Sequence, residues 1–232
     1  VVANLTKEEK NTVNCYAVNA AKPKFITAKV NIINEWQLPW HDNRYQFLQY
    51  YEYGAFPHLV KNPQIIKDVT HIGFMHNDVL FPKNSVNDIT EKLEENPNKI
   101  FYILLRKHDA LYFTKEQLGH IINYIEPKLD IKVDIEKIWN EGWICESMAI
   151  TPTEVFTKFG EFMLKYQYDL ENILNTNRWG IMNVAKHRLC GFVERLWGIY
   201  LVSCGLEIEK MNVIHDRENY DHTQQEKDKQ LF

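Results

Sequence analysis

The sequence holds no Cys-x-x-Cys pair: its four cysteines, Cys15, Cys145, Cys190 and Cys204, are scattered along the chain. Closely spaced cysteine pairs are the usual mark of structural zinc sites, so such a site is disfavoured, and nothing indicates a disulfide framework. Reduced, mostly buried thiols are the expectation. No apolar stretch reaches the roughly 20 residues that span a bilayer, and the segment Val1 to Lys10 lacks the charged-then-apolar order of a secretory leader. A cytoplasmic protein without a transmembrane segment is expected (host cytoplasm, if the source is a virus). A basic excess is missing too. The formal charge of −4 and a pI near 6.2 argue against nucleic acid as the main ligand. Internal repeats and obvious linkers are absent as well.

What is present is the composition of an ordinary soluble domain, 45% hydrophobic and 25% charged over 232 residues. That length suits one sizeable core. The expected layout is a single domain over residues 1–223, followed by a charged, amide-rich tail over 224–232 that resembles a disordered end. Aromatic residues are plentiful at 13%. Sugar sites stack pyranose rings on such faces, but core packing accounts for aromatics equally well.

Element signals alternate between strand and helix. Asn14–Asn19 and Lys29–Asn34 read as strands, as do Ile72–Met75, Lys99–Leu105, Trp143–Ile150 and Met211–Ile214. Helical spacing appears from Tyr45 to Ala55, with Asp42 or Asn43 as N-cap, then over Asn87–Glu95 and Lys115–Ile125. Thr151-Pro-Thr-Glu154 reads as a helix start with Thr151 capping and Pro152 at the first helical position. A long helix is expected over Asn183–Ser203, stopping near Gly205. Alternation of this kind predicts an α/β fold with a mixed, largely parallel sheet flanked by helices.

The most informative stretch is Thr70-His-Ile-Gly-Phe-Met-His-Asn-Asp-Val-Leu-Phe-Pro82. Its apolar run, Ile72 to Met75, suits a strand buried on both faces and ends abruptly in His76-Asn77-Asp78. In open α/β sheets ligands bind beyond the carboxyl ends of strands, where such a polar cluster emerges. Its acceptors suit a hard divalent cation that holds the phosphates of a nucleotide. The arrangement resembles the Asp-x-Asp element of GT-A-fold nucleotide-sugar glycosyltransferases, with His76 in place of the first Asp. His215 closes the last strand signal in the same way. Imidazole and carboxylate together favour Mn2+ (or Mg2+) over Ca2+, which makes Asp78 and His215 the candidate metal ligands.

On the long helix, Cys190, Glu194 and Gly198 stack at four-residue spacing, with Gly191 beside them. Small residues around one carboxylate permit close approach of a backbone or a ligand. Arg188 and Arg195 occupy an adjoining face, where guanidinium groups suit phosphates or can hold Glu194 ionised. A plain solvent-facing Glu–Arg pair is the competing reading of that spacing.

Three segments carry a more specific likeness: Glu146-Ser-Met-Ala-Ile-Thr-Pro-Thr-Glu-Val-Phe156, Phe159-Gly-Glu-Phe162 and Arg188-Leu-Cys-Gly-Phe-Val-Glu-Arg-Leu-Trp197. Together with Ile72-Gly-Phe-Met-His76 they resemble a family of glycosyltransferase-like proteins from polysaccharide loci, which pairs a Gly-Phe-…-Glu-Arg-Leu helix with a His-Tyr-Arg-Arg-Tyr strand end. Related small glycosyltransferases occur in large algal viruses. The likeness runs in patches from Asn43 to His215, and Asn43-Arg-Tyr45 matches the start of the family's preceding helix. Asn77-Asp78 stands where the family has Tyr-Arg, so a metal role for Asp78 rests on the GT-A comparison. The resemblance implies a GT-A-like (Rossmann-like) fold and a nucleoside-diphosphate sugar donor, UDP-sugar foremost, with an oligosaccharide or glycan acceptor. It also implies donor contacts from Asn43, Arg44, His76, Asn77, Asp78, Arg188 and Arg195.

The expectation is therefore a divalent-metal-dependent glycosyltransferase, inverting, with Glu194 as the general base. Two rivals stand beside it: a metal-dependent hydrolase of a nucleotide sugar or phosphoester, and a sugar-binding module without catalysis.

Overall fold

The structure is a computed structural model that describes residues 2–6, 14–19, 31–34, 38–45, 50–74, 79–80, 85–108, 111, 113–145, 148–181 and 188–215. Its strands are β1 (Val2–Thr6), β2 (Asn14–Asn19), β3 (Asn31–Asn34), β4 (Val69–Phe74), β5 (Val79–Leu80), β6 (Lys99–Tyr102), β7 (Leu105–Arg106), β8 (Trp143–Ile144), β9 (Ala149–Pro152), β10 (Glu207–Lys210) and β11 (Ile214–His215). Its helices are α1 (Ala55–Lys61), α2 (Ser85–Glu95), α3 (Lys115–Leu129), α4 (Ile135–Asn140), α5 (Thr153–Asn175) and α6 (Arg188–Ser203). Seven strands form one sheet in the order β10-β6-β9-β4-β1-β2-β3, while β5 pairs with β11 and β7 with β8. None of the described helices is long and apolar enough to cross a membrane.

The sheet is mixed and lies between helices, as the alternating signals predict. It is not largely parallel. Only β10–β6 and β2–β3 pair in parallel; β6–β9, β9–β4, β4–β1 and β1–β2 are antiparallel. The two-sided burial of β4 has another cause, which is helical cover on both faces. Ile72 and Phe74 belong to the main core with residues of α1, α3, α5 and α6, whereas Gly73 pairs with Ile150 on the opposite face. There Ile150 and Phe101 meet Ile89 and Leu93 of α2 in a second, smaller core. Covering both faces makes a strand uniformly apolar whatever the direction of its neighbours.

Strand direction still matters for the site. Because β9 is antiparallel to both β4 and β6, those two run the same way, and β10 follows β6 in parallel. The carboxyl ends of β4, β6 and β10 thus share one edge, marked by Phe74, Ala149 and Tyr102 in register.

Several elements differ from their sequence signals. Of the helix expected from Tyr45 to Ala55, the described residues form 3-10 turns at Asn43–Tyr45 and Tyr51–Gly54 before α1 begins, and 46–49 lie outside the described residues. Tyr45, Tyr50, Tyr53 and Phe56 are all buried there, so packing of these large rings overrides regular helix geometry. Thr151 does not cap α5. It lies in β9, Pro152 takes the cap position, and Thr153 donates its hydroxyl to the Val69 carbonyl at 2.6 Å. The run Trp143–Ile150 is two strands in separate sheets. The strand expected at Met211–Ile214 splits as well: β10 precedes it, and Met211 donates its N–H to the Tyr102 carbonyl at 2.8 Å. Met75 and the residues 182–187 and 224–232 lie outside the described residues.

Candidate functional site

Helix α6 supplies the centre of the candidate site. From Phe192 to Leu201 it is buried around nearly its whole circumference, with Glu194 as the half-open exception. Gly198 explains how it comes so close to the neighbouring strand. A β-carbon at this position would overlap the Ile144 carbonyl oxygen and lie 2.6 Å from the Trp143 ring. The small residue therefore serves the approach of a backbone, one of the two uses that its spacing suggests.

That approach sets Glu194 beside the residue that follows β8. The Cys145 thiol donates to Glu194 Oε1 at 3.3 Å, and Arg195 Nη1 lies 3.5 Å from Glu194 Oε2. The Glu194 side chain keeps 19% of its surface exposed. Arg195 keeps 5% and spends its donors inward, on the Leu111 carbonyl at 2.6 Å and the Gly191 carbonyl at 2.5 Å. Its guanidinium also lies over the rings of Phe113 and Trp143. Of the two roles expected of Arg195, the structure shows the pairing with Glu194 and not the phosphate contact: the cation is enclosed between carbonyls and aromatic rings, where it anchors α6.

Tyr53 joins this group from the 3-10 turn at Tyr51–Gly54. Its ring stacks on Phe74, the last residue of β4, with centroids 6.2 Å apart. Burial pushes the phenol well up, and the charges of Glu194 and Glu52 push in the same direction. The Cys190 thiol is raised by burial first, then by Glu52 and Glu194, with Arg195 opposing. Both groups therefore keep their protons near neutrality. The phenol is a hydrogen-bond donor there, and Cys190 is unsuited to act as a thiolate nucleophile. A half-open carboxylate among protonated neighbours is equipped to accept a proton.

The other expected residues fall in three groups. His76, Asn77 and Asp78 lie outside the described residues. His215 closes β11, and the register of that strand sets it opposite Val79, the residue next to Asp78 in the chain. The backbone thus pairs β11 with the strand that follows the His76-Asn77-Asp78 segment in the chain. Arg188 opens α6. Asn43 and Arg44 form an exposed turn, in which Arg44 pairs with Asp42 and reaches Tyr168 of α5. Hydrogen bonding from Arg44 holds the Asp42 carboxyl below its usual range.

Among the described residues no group of three or more His, Cys, Asp or Glu side chains is arranged to hold a metal ion. A carboxylate from Asp78 and an imidazole from His215 remain a chemically suitable pair for Mn2+. Glu52, Tyr53 and Cys145 are the site neighbours that sequence reading misses. Cys145 bonds Glu194 across 49 residues, and the 3-10 turn that carries Glu52 and Tyr53 packs on α6, so no local spacing links them to it.

No protein-family model matches the chain, and no curated protein or solved structure is significantly similar to it.

Proposed function

We propose that the protein is a GT-A-like glycosyltransferase that moves a sugar from a nucleoside-diphosphate sugar, UDP-sugar foremost, to a hydroxyl of a glycan acceptor. The observation that carries this reading is the pairing of His215 with Val79, the residue after Asp78 in the chain, in a ribbon whose two strands follow β4 and β10, strands that end at one sheet edge. Ligands of α/β sheets collect beyond such ends. Helix α6, which carries the half-open Glu194 carboxylate, packs on β8, and β8 pairs with β7, the strand that follows the carboxyl end of β6 in the chain.

In the proposed reaction Glu194 takes the proton of the acceptor hydroxyl as its oxygen bonds to the anomeric carbon. The bond from that carbon to the diphosphate breaks, the diphosphate leaves with the electron pair, and configuration inverts. A divalent cation bound by Asp78 and His215 would supply neutralisation of charge on the departing group. His76, Asn77, Asn43, Arg44 and Arg188 are the proposed contacts of the donor. Arg195 holds the base rather than the donor.

A thermal-shift panel of nucleoside diphosphates and nucleotide sugars, with and without Mn2+, tests the reading. Mass action converts binding at 100 times Kd into about 2.7 kcal/mol of added stability. A Mn2+-dependent rise in Tm with one donor is the expected result. A flat response to every nucleotide, or a response to free sugars alone, refutes it and favours a sugar-binding module. Release of free sugar without transfer to any acceptor favours the hydrolase.

A further inference from the structure

We infer that Cys145 is a positioning residue for Glu194, holding one carboxylate oxygen by its thiol while Arg195 engages the other. The inference rests on the transferase reading for its catalytic meaning, but the bond itself is a property of the fold. Cys145 follows β8 and its own amide donates to the Leu104 carbonyl at 3.0 Å, so the thiol is delivered from a pinned backbone. Its Sγ lies 3.3 Å from Glu194 Oε1, and Arg195 Nη1 lies 3.5 Å from Oε2. Arg195 is itself fixed by the Leu111 and Gly191 carbonyls.

A glutamate side chain has three rotatable bonds, and a base must present a lone pair within hydrogen-bond reach of the proton it takes. Two donors on opposite oxygens restrict that freedom before a substrate arrives, which is preorganisation of the catalytic group. A thiol is well matched to the task. It donates weakly enough to leave the carboxylate basic, whereas a second guanidinium would suppress proton acceptance. Among the described residues, the carboxylate also acts electrostatically on Cys190 of α6 and on Tyr53 of the 3-10 turn, and Glu52 acts on both of those groups.

Two measurements test the inference. The first needs no activity: iodoacetamide labelling of each cysteine, followed by peptide mass spectrometry, in the parent and in Glu194→Gln. Replacing the carboxylate removes a negative charge beside the thiol and leaves only a weaker, neutral amide acceptor, so Cys145 should form thiolate more readily and label several-fold faster, with Cys204 as the reference. An unchanged Cys145 rate overturns the inference. The second is the pH profile of sugar transfer in Cys145→Ala and Cys145→Ser. Loss of the donor should move the acid limb to higher pH in the alanine variant, and the serine hydroxyl should restore it. A uniform fall in rate at every pH, equal in both variants, also overturns the inference by reducing Cys145 to a packing residue. If the parent transfers no sugar while labelling still responds to Glu194→Gln, the transferase reading fails and the thiol–carboxylate bond stands.

Discussion

Gly198 packs against the Ile144 carbonyl so closely that no side chain fits between helix α6 and strand β8. The contact sits one helical turn beyond Glu194, and it fixes how far the carboxylate projects toward Cys145.

Gly198→Ala should therefore destabilise the protein although alanine is the better helix former. Overpacking of a filled core costs about 1–3 kcal/mol, and here the obstructing atom is backbone, which favours the upper part of that range. For a chain of this size that corresponds to a fall in Tm of about 6–12 °C. A thermal melt equal to the parent would show that α6 can shift without cost.

Glu194→Gln should preserve donor binding and lower transfer by about 10²–10⁴-fold, the usual worth of a placed base. The amide keeps shape and can still bond Cys145, so loss should appear in kcat rather than in KM. Initial rates with saturating donor decide the matter. Turnover within a few-fold of the parent would move the search to Glu146 and Asp216, both outside the described residues, or to Glu52.

Asp78→Ala should abolish Mn2+-dependent donor binding in calorimetry, because a hard cation loses its anionic ligand. His215→Ala should weaken the dependence on Mn2+ without removing nucleotide binding. The two variants together test the pairing at Val79. If only one of them affects Mn2+ titrations, the two strand ends do not share an ion.

His71 predicts a pH dependence of stability. Its Nε2 lies 2.9 Å from the Pro97 carbonyl and must donate there, while Nδ1 accepts from the Thr70 hydroxyl at 3.1 Å. The Nδ1 bond requires the neutral ring, and burial lowers the pKa of His71, with the Pro97 bond opposing in part. The unfolded chain then binds a proton before the folded one does. The contribution is fully present above the unfolded value of about 6.5 and is lost as pH falls through the folded value. Melting temperatures of the parent should drop on acidification more steeply than those of His71→Asn, which cannot titrate. Parallel curves would show that His71 carries no linked proton.

Periodic elements were legible in the sequence because their signal is local. The strand Asn14–Asn19 appears with the expected bounds, and helix α2 begins two residues before its signal. Strand β10 escaped because Glu-Ile-Glu-Lys carries only one apolar residue. As the outermost strand it can satisfy its charges in water and through Lys92 and Lys99. Glu194 was legible as a carboxylate among small residues. Its partner Cys145 lies 49 positions away and carries no mark of the contact. Arg195 was legible as a partner of either phosphate or Glu194, and the choice rested on rings that carry no local mark of covering it.

The parallel pairing of β10 with β6 joins Glu207 to Lys99, and it imposes an order on how the protein is made. On the ribosome β6 emerges well before α6, and β10 emerges after it. Until then the outer edge of β6 has no neighbour, and the third of the three strand ends at the site edge is missing. Pairings between distant segments form slowly, and an open strand edge invites association with other chains. Refolding followed by a core probe and by donor binding should separate in time, with tryptophan burial first and the capacity to bind a nucleotide sugar last.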